Sequence, residues 1–159
     1  MARKPLRPRQ RREKTAPDYK YNNISVNRFI NKINYKGKKT VAEKILYGAF
    51  DIIREKTKQE PLEVFTKAME NARPLVVVKA RRIGGATYQV PVEMSRTRGE
   101  TIGMRWIINS ARERKGLPMK IKLAEELMSA YKKEGSAVKK KEDTHKMADA
   151  NKSFAHYRW

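Results

Sequence analysis

Apolar residues recur at positions i, i+3, i+4 and i+7 in five separate windows from Asn22 onward. The windows are Val26, Phe29, Ile30, Ile33; Leu46, Ala49, Phe50, Ile53; Phe65, Ala68, Met69, Ala72; Met104, Ile107, Ile108, Ala111; and Ala124, Leu127, Met128, Tyr131. Each spacing places one apolar stripe along a helix, so five amphipathic helices sharing a core are predicted. The second window carries a further set, Val41, Ile45, Ala49 and Ile52, and is expected to be the most enclosed element. Thr40 followed by Glu43 reads as a capping box opening that helix. Pro61 and Pro118 suit first-turn positions, and Gly116 and Gly135 suit C-terminal caps.

Between the third and fourth windows the helical period gives way to β-branched runs. Leu75-Val76-Val77-Val78-Lys79-Ala80-Arg81-Arg82-Ile83 and Ala86-Thr87-Tyr88-Gln89-Val90-Pro91-Val92 flank Gly84-Gly85. Two glycines between such runs predict a hairpin, because the favoured two-residue turns need positive φ. That loop pairs Ile83 with Ala86, Arg82 with Thr87, Arg81 with Tyr88, Lys79 with Val90 and Val78 with Pro91. Pro91 then falls on a non-hydrogen-bonded pair, where its missing N–H is no loss. The valines lie at the root and Lys79, Arg81 and Arg82 towards the tip. At about 3.3 Å per residue the strand from Val76 to Ile83 spans roughly 25 Å. A ribbon that long needs support from the body or a partner.

The predicted fold is mainly α: a bundle of about six helices with a protruding two-stranded antiparallel β-ribbon between the third and fourth. Residues 1–19 read as a basic extended arm. Residues 20–135 form the helical body, with its hairpin at about 75–93. Residues 136–159 hold a polar C-terminal helix and an aromatic, basic tail. Ser136 is placed to cap the sixth helix, from Ala137 to about Ala150. Its Lys139, Lys140, Lys141, Glu142, Asp143, His145 and Lys146 leave no apolar stripe. A helix polar all round is held by partners or is not stably formed. The final Phe154-Ala155-His156-Tyr157-Arg158-Trp159 suits stacking on bases or packing on a protein neighbour.

Charge narrows the class of partner. Thirty-eight Lys and Arg against seventeen Asp and Glu leave +21 on 159 residues. A chain so charged repels itself until a polyanion neutralises it, and nucleic acid is the expected one. An anionic membrane is the weaker reading, since no apolar run approaches the roughly 18 residues of a spanning helix. In the arm, Arg3, Lys4, Arg7, Arg9, Arg11, Arg12 and Lys14 face only Glu13, while Pro5 and Pro8 oppose a helix. Such a segment lies along phosphates when bound. The chain has no cysteine, which excludes disulfides and thiolate metal sites.

Catalytic patterns are missing. Neither a P-loop nor a dinucleotide glycine fingerprint occurs, because Gly84-Gly85 does not open a helix. His145 and His156 read as solvated or RNA-facing, without the companions a zinc site needs. Adjacent Glu125 and Glu126 diverge around a helix and read as a solvated face. No enzyme activity, cofactor or metal is expected. Trp106 suits core packing, whereas Tyr88 is open between packing and stacking. Arg96, Arg98 and Arg105, directly after the second strand, suggest one basic concavity with the hairpin root; arginines that merely solvate the surface are the alternative.

These residues also resemble a family. Lys38-Lys39-Thr40-Val41-Ala42-Glu43, Tyr47-Gly48-Ala49, Pro61-Leu62-Glu63-Val64-Phe65, Ala68-Met69-Glu70-Asn71, the whole hairpin, Arg105-Trp106 and the ending Phe154 to Trp159 are similar to small-subunit ribosomal protein seven of the bacterial and plastid type. The resemblance covers Lys4 to Trp159. It implies a helical body with a β-ribbon that binds the 3′ major domain of small-subunit ribosomal RNA and nucleates assembly of the subunit head. It further implies a place near the exit site, by transfer RNA and messenger RNA, with small-subunit proteins nine and eleven as neighbours and no homo-oligomer. Cytoplasmic ribosomes are the expected location, and plastid ribosomes are compatible. By resemblance Lys79, Arg81, Arg82, Gly84 and Gly85 match the family's ribbon. Lys36, Lys38, Lys39, Arg96, Arg98, Arg105, Arg112, Arg114 and the arm match its RNA-facing surface. The other reading is a DNA-architectural protein that inserts the basic hairpin into a minor groove.

Overall fold

The computed structural model describes residues 16–157. Its elements run α1 (Ile24–Ile33), α2 (Lys39–Thr57), α3 (Pro61–Ala72), β1 (Val76–Ile83), β2 (Ala86–Glu93), α4 (Arg96–Glu113), α5 (Met119–Tyr131) and α6 (Ser136–Ala150), then a 3₁₀ helix (Lys152–Tyr157). The first four predicted stripes are buried as read. Asn23 opens α1: its side-chain oxygen accepts from the N–H groups of Ser25, at 2.8 Å, and Val26. Phe29 and Phe50 both meet Phe65 edge-on, with ring centroids 5.3 and 5.6 Å away, which joins α1, α2 and α3.

The fifth stripe is displaced. Leu123, Ala124, Leu127 and Ala130 are buried, while Met128 and Tyr131 are only partly covered. The reason is that α5 packs on α2, α3, α4 and α6, so several faces of it are enclosed. The most central helix is therefore α5 and not α2, whose Val41 is 49% exposed.

Helix ends also depart from expectation. The turn Lys38 N–H to Tyr35 C=O lets α2 begin at Lys39, so Thr40 lies inside the helix and makes no cap. Pro61 is at the first position of α3, whereas Pro118 is the cap residue preceding α5. Gly116 lies two residues past the α4 cap residue, Arg114. Lys133, at φ 64°, closes α5, with Lys133 N–H donating to Ala130 C=O and Glu134 N–H to Ser129 C=O. Gly135 serves instead as the residue before α6, which starts at Ser136.

The polar sixth helix is packed after all. Its contact face consists of Ala137, Val138, Thr144 and Ala148, all buried, against α4 and β1. Small side chains make that face, so no large apolar stripe announces it. His145 is a structural group here: its Nε2 accepts the Leu75 N–H at 3.1 Å, tying α6 to the foot of the ribbon.

The ribbon has the predicted register, from Ile83 opposite Ala86 to Val78 opposite Pro91. Gly84 and Gly85 adopt φ of 56° and 89°, the signature of the turn that matches strand twist. Val90 and Pro91 are buried at the root, while Ala80 to Arg82 and Gly84 to Thr87 are exposed. Helix α4 presses on the junction before the ribbon through Gly99, where a Cβ would lie 2.8 Å from the Pro74 carbonyl oxygen.

Near the chain start, buried Asp18 accepts the Tyr47 hydroxyl at 2.5 Å. Burial first, and this hydrogen bond second, push the Tyr47 phenol well above its ordinary value of 10.0. The folded state thus keeps a proton that the unfolded chain releases near pH 10, so the contribution is intact below that pH and lost as pH rises further. Tyr47→Phe is expected to flatten the fall in stability between about pH 9 and pH 11. Urea unfolding at both pH values checks this, and an unchanged fall would refute it.

Candidate nucleic-acid interface

Two basic surfaces stand out. On the ribbon, cross-strand partners share a face, so Lys79 and Arg81 lie with Val90 and Tyr88, whereas Arg82 lies with Thr87 on the other. The exposed tip therefore offers guanidinium groups on both faces of the Gly84-Gly85 turn. Tyr88 is not a free ring. Its centroid lies 5.1 Å from Phe154 and 5.6 Å from Tyr157, so the chain's own 3₁₀ helix packs against β2. The described part of the aromatic tail packs within its own chain, and His156 lies exposed against Tyr157.

The second surface runs along α4. Arg98, Arg105 and Arg112 are seven residues apart and project from one face, since seven residues nearly complete two turns. Arg96 and Arg105 are nine apart, about 180° around the helix. They do not line one concavity, which corrects that expectation. Arg96 pairs with Glu100 at 3.2 Å and borders a cavity with Arg73, Glu70 and Phe65. Arg105 and Arg112 instead flank a shallow cavity with Lys32 of α1, a residue no sequence pattern singled out. Arg112 donates to the Ile33 carbonyl at 3.2 Å, satisfying the C-terminal end of α1. Lys36 and Lys38, in the α1–α2 loop, and Lys39, which opens α2, follow and are exposed.

Comparison with known proteins gives the chain a family. Residues 5–152 match the family described as ribosomal protein S7p/S5e. The chain belongs to it. A protein of Endomicrobium trichonymphae named small ribosomal subunit protein uS7 is 55% identical over 159 residues, covering 100% of both chains. Proteins of the same name are 59% identical in Thermotoga petrophila, over 90% of this chain and 92% of theirs, and 54% identical in Elusimicrobium minutum, over 100% of both. As an S7p/S5e member the chain is a structural ribosomal protein and not an enzyme, and the DNA-architectural reading is not favoured.

Within this S7p/S5e chain, Arg114, an expected contact residue, is engaged by the carboxylates of α5. Arg114 donates to Glu125 at 3.1 Å and to Glu126 at 2.6 Å. Glu126 is fully buried and also accepts the Ala137 N–H at 3.1 Å and the Ser136 hydroxyl. Neither glutamate is a solvated face, because Arg114 and the start of α6 converge on them. The ring of Trp106 packs against the core, as expected. Arg3, Lys4, Arg7, Arg9, Arg11 and Arg12 lie outside the described residues, as do Lys14, Arg158 and Trp159.

Proposed function

We propose that this chain belongs to the small ribosomal subunit, where it binds the 3′ major domain of small-subunit ribosomal RNA and nucleates the subunit head. On this reading the ribbon lies near the exit site, beside transfer RNA and messenger RNA, with proteins nine and eleven adjacent. Cytoplasmic ribosomes are its place. The carrying observation is the pair of basic surfaces: a ribbon tip with Arg81 and Arg82, and the Arg98, Arg105, Arg112 face of α4 with the Lys36, Lys38 and Lys39 segment. Folded RNA hides its base edges in a deep major groove, so separated phosphate contacts that read shape suit it. The arm adds further cations to the same polyanion.

Arg81→Ala with Arg82→Ala is expected to weaken binding to a transcript of that RNA domain about tenfold, and to lower the slope of log K against log salt by about one to two. Filter-binding titrations across salt read both. Unchanged affinity and slope would reject the ribbon as a contact, and preference for bent duplex DNA would restore the other reading.

A further inference from the structure

The loop from Asn34 to Lys38 carries a ring that the fold does not use. Tyr35 is 71% exposed, and among the described residues its ring meets Lys36, whose Nζ lies 5.7 Å from the centroid. Yet the loop that presents it is held firmly. Asn34 N–H donates to Ile30 C=O at 2.9 Å, Lys38 N–H to Tyr35 C=O at 3.2 Å and Lys39 N–H to Gly37 C=O at 2.9 Å. Arg112 grips Ile33 C=O from α4. Lys36 and Gly37 both adopt positive φ, 50° and 76°, so the turn is preformed and the backbone of Lys36 sits in a left-handed conformation that costs energy for a residue with a side chain.

The surroundings select the ligand. Lys32, Lys36, Lys38 and Lys39 are all exposed around this turn, and the loop itself contains no acidic residue. An apolar protein partner would favour apolar neighbours, which this loop lacks. Tyr19 is still more exposed, but it adjoins Asp18, and its neighbour Lys20 is drawn to Asp51 at 3.8 Å. A phosphate chain would meet Asp18 and Asp51 there, whereas at Tyr35 it would meet Lys36 and Lys38 beside the ring, with Glu43 held 3.7 Å from Lys39 further along α2.

We infer that Tyr35 is a stacking platform for one unpaired base of the bound RNA, with Lys36 and Lys38 holding the phosphates that flank it. This rests on the RNA-binding reading above and adds to it a contact that reads an unstacked base. Aromatic rings accept any base face and so reward single-stranded or bulged nucleotides over paired ones.

The test uses the full chain and a transcript of the 3′ major domain of small-subunit ribosomal RNA, titrated at several salt concentrations. Tyr35→Ala is expected to weaken binding about tenfold with the salt slope unchanged, because the ring carries no charge. Tyr35→Phe keeps the affinity, and Tyr35→Leu does not restore it. Lys38→Ala lowers the slope. Base-specific chemical probing should reveal one unpaired nucleotide protected by the unaltered protein and by Tyr35→Phe, but not by Tyr35→Ala. Thermal melting of Tyr35→Ala without RNA should match the unaltered chain, since the ring is exposed. If Tyr35→Ala binds normally while Arg81→Ala with Arg82→Ala is weakened, the stacking platform is wrong and the RNA reading stands. If Tyr35→Leu binds as tightly as the unaltered chain, the site favours general apolar packing and stacking is rejected. If the unaltered chain itself does not bind the RNA, both readings fall.

Discussion

Arg114→Ala is expected to cost about 3 kcal/mol of folding stability, the low end of what breaking a buried ion pair costs. The low end applies because Arg114 is 35% exposed while Glu126 is fully buried. Without the guanidinium, the Glu126 carboxylate keeps only the Ala137 N–H and the weak Ser136 hydroxyl contact at 3.4 Å. Arg114→Lys should recover only part of the loss, since an ammonium cannot span Glu125 and Glu126 as the fork does. Adding Glu126→Gln to Arg114→Ala should recover stability as well, because the stranded charge is gone. Urea unfolding of the three variants decides this. A loss below about 1 kcal/mol in Arg114→Ala would show that the pair behaves as a surface bridge.

The same junction shows where a sequence stops being legible. A two-residue glycine loop fixes one register, so the ribbon pairing could be read residue by residue. Four apolar stripes were equally readable, because each helix offers the core a single face. Helix α5 is different: enclosed by four neighbours, it buries Glu126 on a face that periodicity alone marks as polar. That burial depends on Arg114, twelve residues earlier, and on the N–H of Ala137, eleven later. Helix α6 hides its packing in alanine, valine and threonine, whose size suits close approach and leaves little hydropathy signal.

For the basic surfaces the limit was different. Helical phase was present in the sequence and separates Arg96 from Arg105 while aligning Arg98, Arg105 and Arg112. Adjacency in sequence was the wrong guide there. Lys32 was not recoverable in this way, since its nearness to Arg105 and Arg112 comes from α1 packing on α4. Tyr88 likewise meets partners 66 and 69 residues further along the chain.

That last contact supplies the support a two-stranded ribbon lacks by itself. Tyr88 touches Phe154 and Tyr157, and those two rings stack on each other at 6.4 Å with planes only 16° apart. Each aromatic pair contributes about 0.5–1.5 kcal/mol beyond the area it buries. Tyr88→Ala removes two such pairs and is expected to lower the free energy of opening the ribbon by about 2–3 kcal/mol. Amide exchange between Lys79 and Gln89 should then quicken by about 30- to 150-fold, while the helical core, which does not use Tyr88, keeps its protection. Tyr88→Phe should behave as the unaltered chain, because the contact is between rings. The pair Phe154→Ala with Tyr157→Ala should reproduce the effect from the other side of the contact. Ribbon amides that exchange equally slowly in Tyr88→Ala would mean that the root valines and α6 hold the strands without the tail. If exchange does quicken, RNA affinity should fall with it even though Arg81 and Arg82 are untouched, because binding must then order a ribbon that the aromatic contact had already fixed.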